Sequence, residues 1–247
     1  MFEEKEKSQM KKMWDTLTPI IVQGGSLRTW SFATPDIERV NVMLRSDGRP
    51  LHANVELWQG PDNTPVKMNV YNEDGNMRPF AAIIETPRGQ NSIAIRNTGQ
   101  MEFPLSAALG VDVGGTVGKG KADLGSMVRK LEATTTPRTV QGGAVQTFPF
   151  DASVGSVQIM IKTDGRPLNA RLELLQGPNN NKQVIDLYCE DGMERPFYAI
   201  VETPGSGNVI RVVNTATMEF PMSIRIEPFE ASNAFQPRGA ESYFNVM

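Results

Sequence analysis

The sequence contains one long internal repeat, and this feature limits the possible folds more than any other. Residues 18–109 align with residues 136–226 with one single-residue gap, and nearly half of the aligned positions are identical. A unit of this length can enclose its own hydrophobic core, whereas the short units of a solenoid cannot. We therefore predict two tandem homologous domains in preference to one interleaved domain.

Both repeats show the sequence pattern of β-strands. Apolar and polar residues alternate in runs such as 40–44 and 157–161, and each of these runs leads to an Asp-Gly pair. Asp-Gly between apolar runs favours a tight hairpin, because Gly adopts a positive φ at no steric cost. Turn residues recur about every ten positions, which is typical of an antiparallel sandwich or jelly roll. The predicted fold class is all-β, with two antiparallel, jelly-roll-like β-sandwich domains.

The segments outside the repeats differ from them in composition. Residues 1–17 predict an N-terminal helical segment, and residues 110–135 predict a linker that is Gly-rich and flexible at first and helical over residues 121–131. In that helix Leu124, Val128 and Leu131 share one side. Residues 227–247 predict an extended C-terminal arm, which either docks on a neighbouring chain or folds back on its own domain.

Charge and hydropathy argue against nucleic acid as a partner and against a membrane-spanning helix. The formal net charge is −3, with 25 basic and 28 acidic residues, so no strongly basic surface for nucleic acid is expected. No apolar run reaches the ~18 residues that a membrane-spanning helix requires. The N-terminal residues alternate Glu and Lys, a pattern of neither a secretory signal nor a transit peptide.

The chain has few groups suited to catalysis. It contains one histidine, His52, and one cysteine, Cys189, which rules out an intramolecular disulfide and a cysteine-based zinc site. A residue that works in a duplicated site is often present twice, but His52 aligns with Asn169 and Cys189 aligns with Asn72. We therefore predict no catalytic, cofactor-binding or metal site, and no enzyme activity.

Three motifs have an alternative chemical interpretation. The shared Asp-Gly-Arg-Pro motif is interpreted as a hairpin turn in preference to a phosphate-binding loop, and the shared Glu-Asp-Gly motif as a solvated turn in preference to a calcium site. Two pairs of strand glutamates recur, and they would form a glycosidase site only if they converged in space. These are Glu56 with Glu173, and Glu85 with Glu202.

The remaining shared polar residues are candidates for assembly contacts. The shared arginines either hold acidic turns in place within a domain or pair with acidic turns on a neighbouring chain. A duplicated domain gives one chain two similar surfaces, and contacts between unlike patches propagate into sheets or tubes unless the rotation closes. The predicted assembly residues are Arg49, Arg166, Arg78, Arg195, Trp58, Phe235, Tyr243 and Phe244.

The set of paired motifs resembles a known family. Val-Gln-Gly-Gly, Asp-Gly-Arg-Pro-Leu, Glu-Leu-(Trp/Leu)-Gln-Gly-Pro, Tyr-x-Glu-Asp-Gly and Arg-Pro-Phe each occur twice, within residues 18–226. Together they are similar to the pyrenoid shell proteins of diatoms and related algae. The resemblance implies a self-assembling lattice around the Rubisco-rich pyrenoid in the chloroplast stroma, which supports the concentration of CO2 and requires no cofactor. A trimmed mature form would account for the lack of a visible presequence.

One alternative function comes from a different class. β-Sandwich domains commonly bind carbohydrates through exposed aromatic side chains, and Trp30 and Trp58 are available for this. Trp58 aligns with Leu175, however, so the second repeat lacks that stacking platform. The sequence therefore favours homo-oligomeric sheets or tubes over a tandem lectin-like module. The resemblance implies that any contact with the Rubisco matrix is indirect.

Overall fold

Strands form almost all of the regular secondary structure of the described residues. The computed structural model describes residues 13–32, 34–87, 89–113, 124–178, 180–229, 238–239 and 244–246. Repeat 1 forms β1 (Ile20–Val22), β2 (Leu27–Phe32), β3 (Ile37–Arg45), β4 (Leu51–Gln59), β5 (Asn63–Asn72), β6 (Phe80–Glu85), β7 (Asn91–Asn97) and β8 (Leu105–Val113). Repeat 2 forms β9 (Arg138–Val140), β10 (Val145–Pro149), β11 (Ser156–Lys162), β12 (Leu168–Gln176), β13 (Asn181–Cys189), β14 (Phe197–Glu202), β15 (Asn208–Asn214) and β16 (Met222–Pro228). Helix α1 (Leu124–Thr134) follows repeat 1 and precedes repeat 2 in the sequence, and the C-terminal arm adds β17 (Arg238–Gly239) and β18 (Phe244–Val246).

These strands form two antiparallel sheets that face each other across an apolar core. The strand order in sheet A is β1-β8-β3-β6-β14-β11-β16-β9, with β17 beside β8. The order in sheet B is β10-β15-β12-β13-β5-β4-β7-β2-β18. The predicted all-β class with antiparallel sheets is confirmed.

The alternating sequence pattern determines which side of each strand enters the core. In β4 the residues Leu51, Ala53, Val55 and Leu57 are buried, and the residues that alternate with them face outward. The Asp-Gly hairpins also form as predicted, because Gly48 and Gly165 adopt φ of +70° and +95°. Local turn chemistry and the period of two therefore fix the strands of each repeat.

The two repeats lie side by side and share both sheets. Each repeat contributes one contiguous block of strands to each sheet, and the blocks join where β5 pairs with β13 and β6 pairs with β14. One hydrophobic cluster includes buried residues of both repeats, among them Val70, Phe80, Ile185 and Phe197. The repeats are therefore adjacent halves of a continuous sandwich, in which β5, β6, β13 and β14 pair across the boundary.

A two-fold relationship connects the two halves. Along the antiparallel pair of β5 and β13, Asn69 lies opposite Asp186, which occupies the equivalent position of the second repeat. Along β6 and β14, Ala82 lies opposite Ala199, again its own equivalent. A rotation axis perpendicular to the sheets and passing between these pairs exchanges repeat 1 with repeat 2.

The region between the repeats differs in part from the prediction. Residues 110–113 do not form a flexible linker, because β8 continues to Val113 and pairs with β3, and the side chain of Val111 is buried. Helix α1 begins at Leu124, and Val128 and Leu131 are buried as the spacing predicts. Its apolar side packs with Met13 and Leu17 against the outer face of sheet A. Of the predicted N-terminal segment, residues 1–12 lie outside the described residues.

The C-terminal arm is extended where it is described. β17 pairs with Val111 and Gly110 of β8, and β18 pairs with β2, so both strands of the arm lie at the edges of repeat 1. Among the described residues, no helix has the length and apolar character needed to cross a membrane.

Candidate assembly site

Reciprocal contacts connect the two repeats at the boundary. The guanidinium of Arg78 donates to Gln176 Oε1 at 2.8 Å, and the guanidinium of Arg195 donates to Gln59 Oε1 at 3.0 Å. Both arginines are almost fully buried, at 4% and 7% exposed, and burial lowers the pKa of Arg78 against the attraction of the nearby acidic turn. These two predicted assembly residues therefore hold the halves of one chain together in this structure.

The acidic turns are also held by the opposite repeat. The backbone N–H of Glu73 donates to the carbonyl of Lys182 at 2.9 Å, and that of Glu190 donates to the carbonyl of Pro65 at 2.8 Å. The Lys182 ammonium lies 2.5 Å from a carboxylate oxygen of Glu73. Each Glu-Asp-Gly turn is thus fixed from across the boundary, which gives it a structural role within the chain.

The other shared arginines lie at exposed turns. Arg49 donates to the carbonyl of Glu102 at 3.3 Å, and Arg166 donates to the carbonyl of Glu219 at 2.7 Å. Each guanidinium lies 5.4 Å from the centre of an aromatic ring, that of Phe103 or of Phe220. Arg49 and Arg166 thus connect two turns of one repeat while remaining accessible to a partner.

The aromatic candidates are located in different regions. Trp58 lies on the outer face of sheet B, and its indole N–H donates to Glu56 Oε2 at 2.7 Å. The backbone of Phe244 pairs with that of Phe32 at the edge of sheet B. Phe235 and Tyr243 lie outside the described residues.

The groups with catalytic potential are not assembled into an active site. His52 is exposed on sheet B and lies against Tyr71, with ring centres 4.9 Å apart. Cys189 is buried, and burial raises the pKa of its thiol to about 12. Within the part of the chain that the structure describes, no group of three His, Cys, Asp or Glu residues is arranged to hold a metal ion.

The paired glutamates do not converge. Glu56 belongs to the outer face of sheet B, whereas Glu85 belongs to sheet A and accepts a hydrogen bond from Arg39 at 2.8 Å. Their equivalents Glu173 and Glu202 are separated in the same way, on β12 and β14. The geometry therefore does not support the carboxylate pair of a glycosidase.

An ionic network on sheet B was not predicted from the sequence. The carboxylate of Glu173 accepts hydrogen bonds from Arg171 and Arg211. The guanidinium of Arg171 also lies 3.0 Å from a carboxylate oxygen of Asp186. Burial alone would raise the pKa of Glu173, but the hydrogen bonds from Arg211 and Arg171 outweigh burial and lower it. The alternation of Arg171 and Glu173 along β12 was the available signal, since residues two apart on a strand share a face.

A second polar network attaches helix α1 to sheet A. The carboxylate of Glu227 accepts hydrogen bonds from Thr135 at 2.6 Å and from Gln158 at 2.8 Å, and the hydroxyl of Tyr198 donates to Gln158 at 2.7 Å. Burial raises the pKa of Tyr198, so its hydroxyl remains a donor. Glu227, assigned from the sequence to the start of the arm, is instead part of β16.

The comparison with protein families gives one match that spans most of the chain. A family model described as diatom pyrenoid shell protein matches residues 14–228, which include both repeats and helix α1. A search of the curated proteins gave no match.

Several solved structures show a distant likeness. PBSX exported protein XepA is 10% identical, with a TM-score of 0.27 over 84% of this chain and 85% of that chain. Oxalate decarboxylase OxdC from Bacillus subtilis is 8% identical, with a TM-score of 0.22 over 93% and 69%. The vicilin from Solanum melongena is 10% identical, with a TM-score of 0.24 over 91% and 80%. At these TM-scores the likeness carries no inference about fold or activity.

Proposed function

Because the chain belongs to the diatom pyrenoid shell protein family, we propose that it is a structural unit that assembles with copies of itself into the protein layer around the pyrenoid. Membership of the family implies a role in the pyrenoid shell and a location at the chloroplast pyrenoid. In the proposed function, the layer lies at the pyrenoid periphery, encloses the Rubisco-containing matrix and helps to retain CO2. The layer itself carries out no reaction.

The family match over residues 14–228 carries this proposal, and the two-fold sandwich supports it. The two-fold relationship presents every feature shared by the repeats twice on one chain, in orientations related by rotation. A unit with two equivalent and separate contact surfaces can form a row or sheet, because each added copy offers a further free surface. The apolar and polar contacts of helix α1 also make the outer face of sheet A different from that of sheet B.

Assembly of the purified protein is the direct test. We expect light scattering to show species far larger than one 27.2 kDa chain, and negative-stain electron microscopy to show sheets or tubes. A strictly monomeric protein at high concentration and moderate salt would contradict the proposal. Saturable binding of this monomer on a glycan array would instead favour the lectin-like alternative.

The location within the cell is tested separately. A fluorescent fusion to the full chain is expected to form a closed layer around the Rubisco signal, and depletion is expected to alter the shape of the pyrenoid. A fusion distributed through the stroma or within the Rubisco matrix would contradict a shell role even if the purified protein assembles.

A further inference from the structure

Exposed methionine side chains are concentrated at the two ends of the sandwich. Eight large hydrophobic side chains are exposed among the described residues, and four of these are methionines. Met101 and Met218 occupy equivalent turns and are 81% and 79% exposed, whereas Met77 and Met193 are 53% and 59% exposed. By contrast, Met43 and Met160 are buried, so methionine in this chain is not exposed by default.

Each pair of methionines lies on a surface built from three turns. In repeat 1 the N–H of Gly75 donates to the carbonyl of Arg49 at 3.2 Å, and the Arg49 guanidinium donates to the carbonyl of Glu102. These bonds connect the turn that carries Met77 with the turn that carries Met101. We call Arg49, Met77, Met101 and Glu102 end surface 1.

The second repeat builds the corresponding surface. The N–H of Gly192 donates to the carbonyl of Arg166 at 3.1 Å, and Arg166 donates to the carbonyl of Glu219. End surface 2 therefore consists of Arg166, Met193, Met218 and Glu219. Met77 and Met193 occupy neighbouring positions of the aligned motif, not equivalent ones. Each repeat therefore has one further exposed methionine in this turn, at a position where the other repeat has a different residue.

The turn that carries the most exposed methionine is rigid. The buried side chain of Asn97 donates to the carbonyls of Val22 at 3.0 Å and Phe103 at 2.8 Å, and it accepts from the N–H of Gly99 at 2.9 Å. Gly24 packs so closely against this turn that a Cβ atom at Gly24 would be 1.8 Å from the carbonyl oxygen of Gln100.

The second repeat holds its turn in the same way. Asn214 donates to the carbonyls of Val140 and Phe220, and a Cβ atom on Gly142 would lie 1.7 Å from the carbonyl oxygen of Thr217. Rigid presentation reduces the entropy lost when an exposed side chain binds a partner. Both Met-bearing turns are therefore preorganised for contact.

The two end surfaces point in opposite directions. β5 and β13 are antiparallel neighbours in sheet B, so the turn that follows β5 and the turn that follows β13 leave the sheet at opposite ends. End surface 1 is built around the first of these turns and end surface 2 around the second. One chain thus carries two similar surfaces at opposite ends of its strand direction.

We propose that end surfaces 1 and 2 are docking surfaces for a second copy of this chain, which joins chains end to end into rows. Each surface carries one accessible arginine, one exposed glutamate and two methionines, so two such surfaces are complementary in charge and both apolar. The unbranched, polarizable side chain of methionine adapts to irregular partner surfaces. Because the two surfaces lie at opposite ends of the chain, each added copy leaves one surface free, and the row continues to grow along one axis. This proposal rests on the proposed self-assembly and names the surface responsible.

Substitution of the most exposed pair tests the proposal. In the double variant Met101→Glu with Met218→Glu, we expect the assembled fraction at a fixed concentration to fall at least tenfold, with an unchanged thermal midpoint because both sites are exposed turns. The matched variant Met101→Leu with Met218→Leu keeps an apolar side chain and is expected to assemble as the wild type does. The variant Asn54→Glu adds charge on the outer face of sheet B in the row of residues at the two-fold axis, midway between both ends, and is expected to assemble normally.

Oxidative footprinting gives a readout that needs no substitution. In the assembled wild type, mass spectrometry is expected to show that Met101 and Met218 are oxidised to the sulfoxide several times more slowly than in the dilute monomer. If the wild type assembles while the glutamate variant assembles equally and both methionines stay accessible, this proposal is wrong and self-assembly stands. If the wild type never assembles, the proposed function itself fails. If the methionines are protected only when a different protein is added, the partner is not a second copy.

Discussion

The two repeats agree where they meet and differ on their outer faces. At the boundary each arginine has an equivalent partner across the axis, as in the Arg78–Gln176 and Arg195–Gln59 contacts. On the outer face of sheet B, the Arg171 and Arg211 that surround Glu173 in repeat 2 are replaced by Asn54 and Ala94 in repeat 1. The contacts that build one sandwich from two halves are thus kept twice, whereas the faces have diverged.

The outer face of sheet A shows the same divergence. Gln158 and Tyr198 of repeat 2 connect to Glu227 beneath helix α1, whereas the equivalent positions in repeat 1 are Asn41 and Ala81. One helix covers a boundary between two similar halves, so the two halves cannot both offer it the same contacts. Duplication therefore supplies the frame, and divergence makes the faces distinct.

Separation of the repeats is expected to have the largest effect. A chain of residues 13–113 exposes the edges of β5 and β6, so we expect it to form a homodimer in which these strands pair across a two-fold axis. Repeat 2 alone places Asp186 opposite Asp186, a like-charge pair, whereas repeat 1 places Asn69 opposite Asn69. The repeat 1 dimer should therefore be the tighter of the two in light scattering. A folded monomer of either repeat at high concentration would show that the boundary is dispensable.

Disruption of one boundary contact is expected to have the next largest effect, which is a loss in the free energy of unfolding. Arg195→Met removes a buried charged hydrogen bond to Gln59, and we expect the free energy of unfolding to fall by about 2 kcal/mol in chemical denaturation. Arg166→Met, at an exposed turn, is the control and should cost about 0.5 kcal/mol. A double-mutant cycle with Gln59→Ala should give a clear coupling energy. Equal costs for Arg195 and Arg166 would contradict the distinction between boundary and surface.

The ionic network on sheet B makes a pH-dependent contribution to stability. The pKa of Glu173 is lowered in the folded protein, so its contribution is fully present above the unfolded value of about 4.3 and is lost as pH falls through the folded pKa. Glu173→Gln should therefore lower the free energy of unfolding by about 1.5 kcal/mol at neutral pH, with the difference from wild type shrinking in acid.

Glu56→Gln in repeat 1 is the matched control, because Glu56 contacts Trp58 but has no arginine at the equivalent positions. Thermal melts from neutral pH to about pH 3 should show a smaller loss of stability for this variant than for Glu173→Gln. A difference at Glu173 that stays constant in acid would show that the network does not act through the charge of the carboxylate.

The smallest effect is expected at the sheet edge. β18 pairs with β2 at the edge of repeat 1. In the equivalent edge strand of repeat 2, Pro149 occupies the position of Ser31, and proline has no N–H to donate. Because Phe150 donates to Asn208 of β15, the neighbouring Pro149 faces the open edge. Ser31→Pro should release β18 at a cost of about 1 kcal/mol, seen as faster amide exchange at Asn245. Unchanged exchange would mean that this pairing does not hold the arm.

The local structure followed from the sequence, and the joining of the repeats did not. The strands around Asp47-Gly48 and Asp164-Gly165 and the helix with Val128 and Leu131 follow from turn chemistry and periodicity. The pairing of β5 with β13 could not be read in this way, because an apolar strand at a sheet edge has the same pattern as one in the middle.

The partners of the shared arginines could not be predicted from the sequence either. Arg78 and Gln176 are 98 residues apart in sequence, and no local rule connects them. The signal was the Gln-Gly-Pro motif, which recurs with the arginines and places Gln59 and Gln176 at equivalent turns. A polar residue shared by two repeats is a candidate contact between them as well as a candidate contact with another chain.

Subunit-resolved electron microscopy of the assembled protein is the most direct test that this chain is a building unit. We expect an ordered layer in which each chain appears as a two-fold pair of similar halves and touches its neighbours through surfaces repeated at both ends. Monomers alone, or aggregates without a repeating unit, would contradict the assignment of this chain as a building unit of a shell.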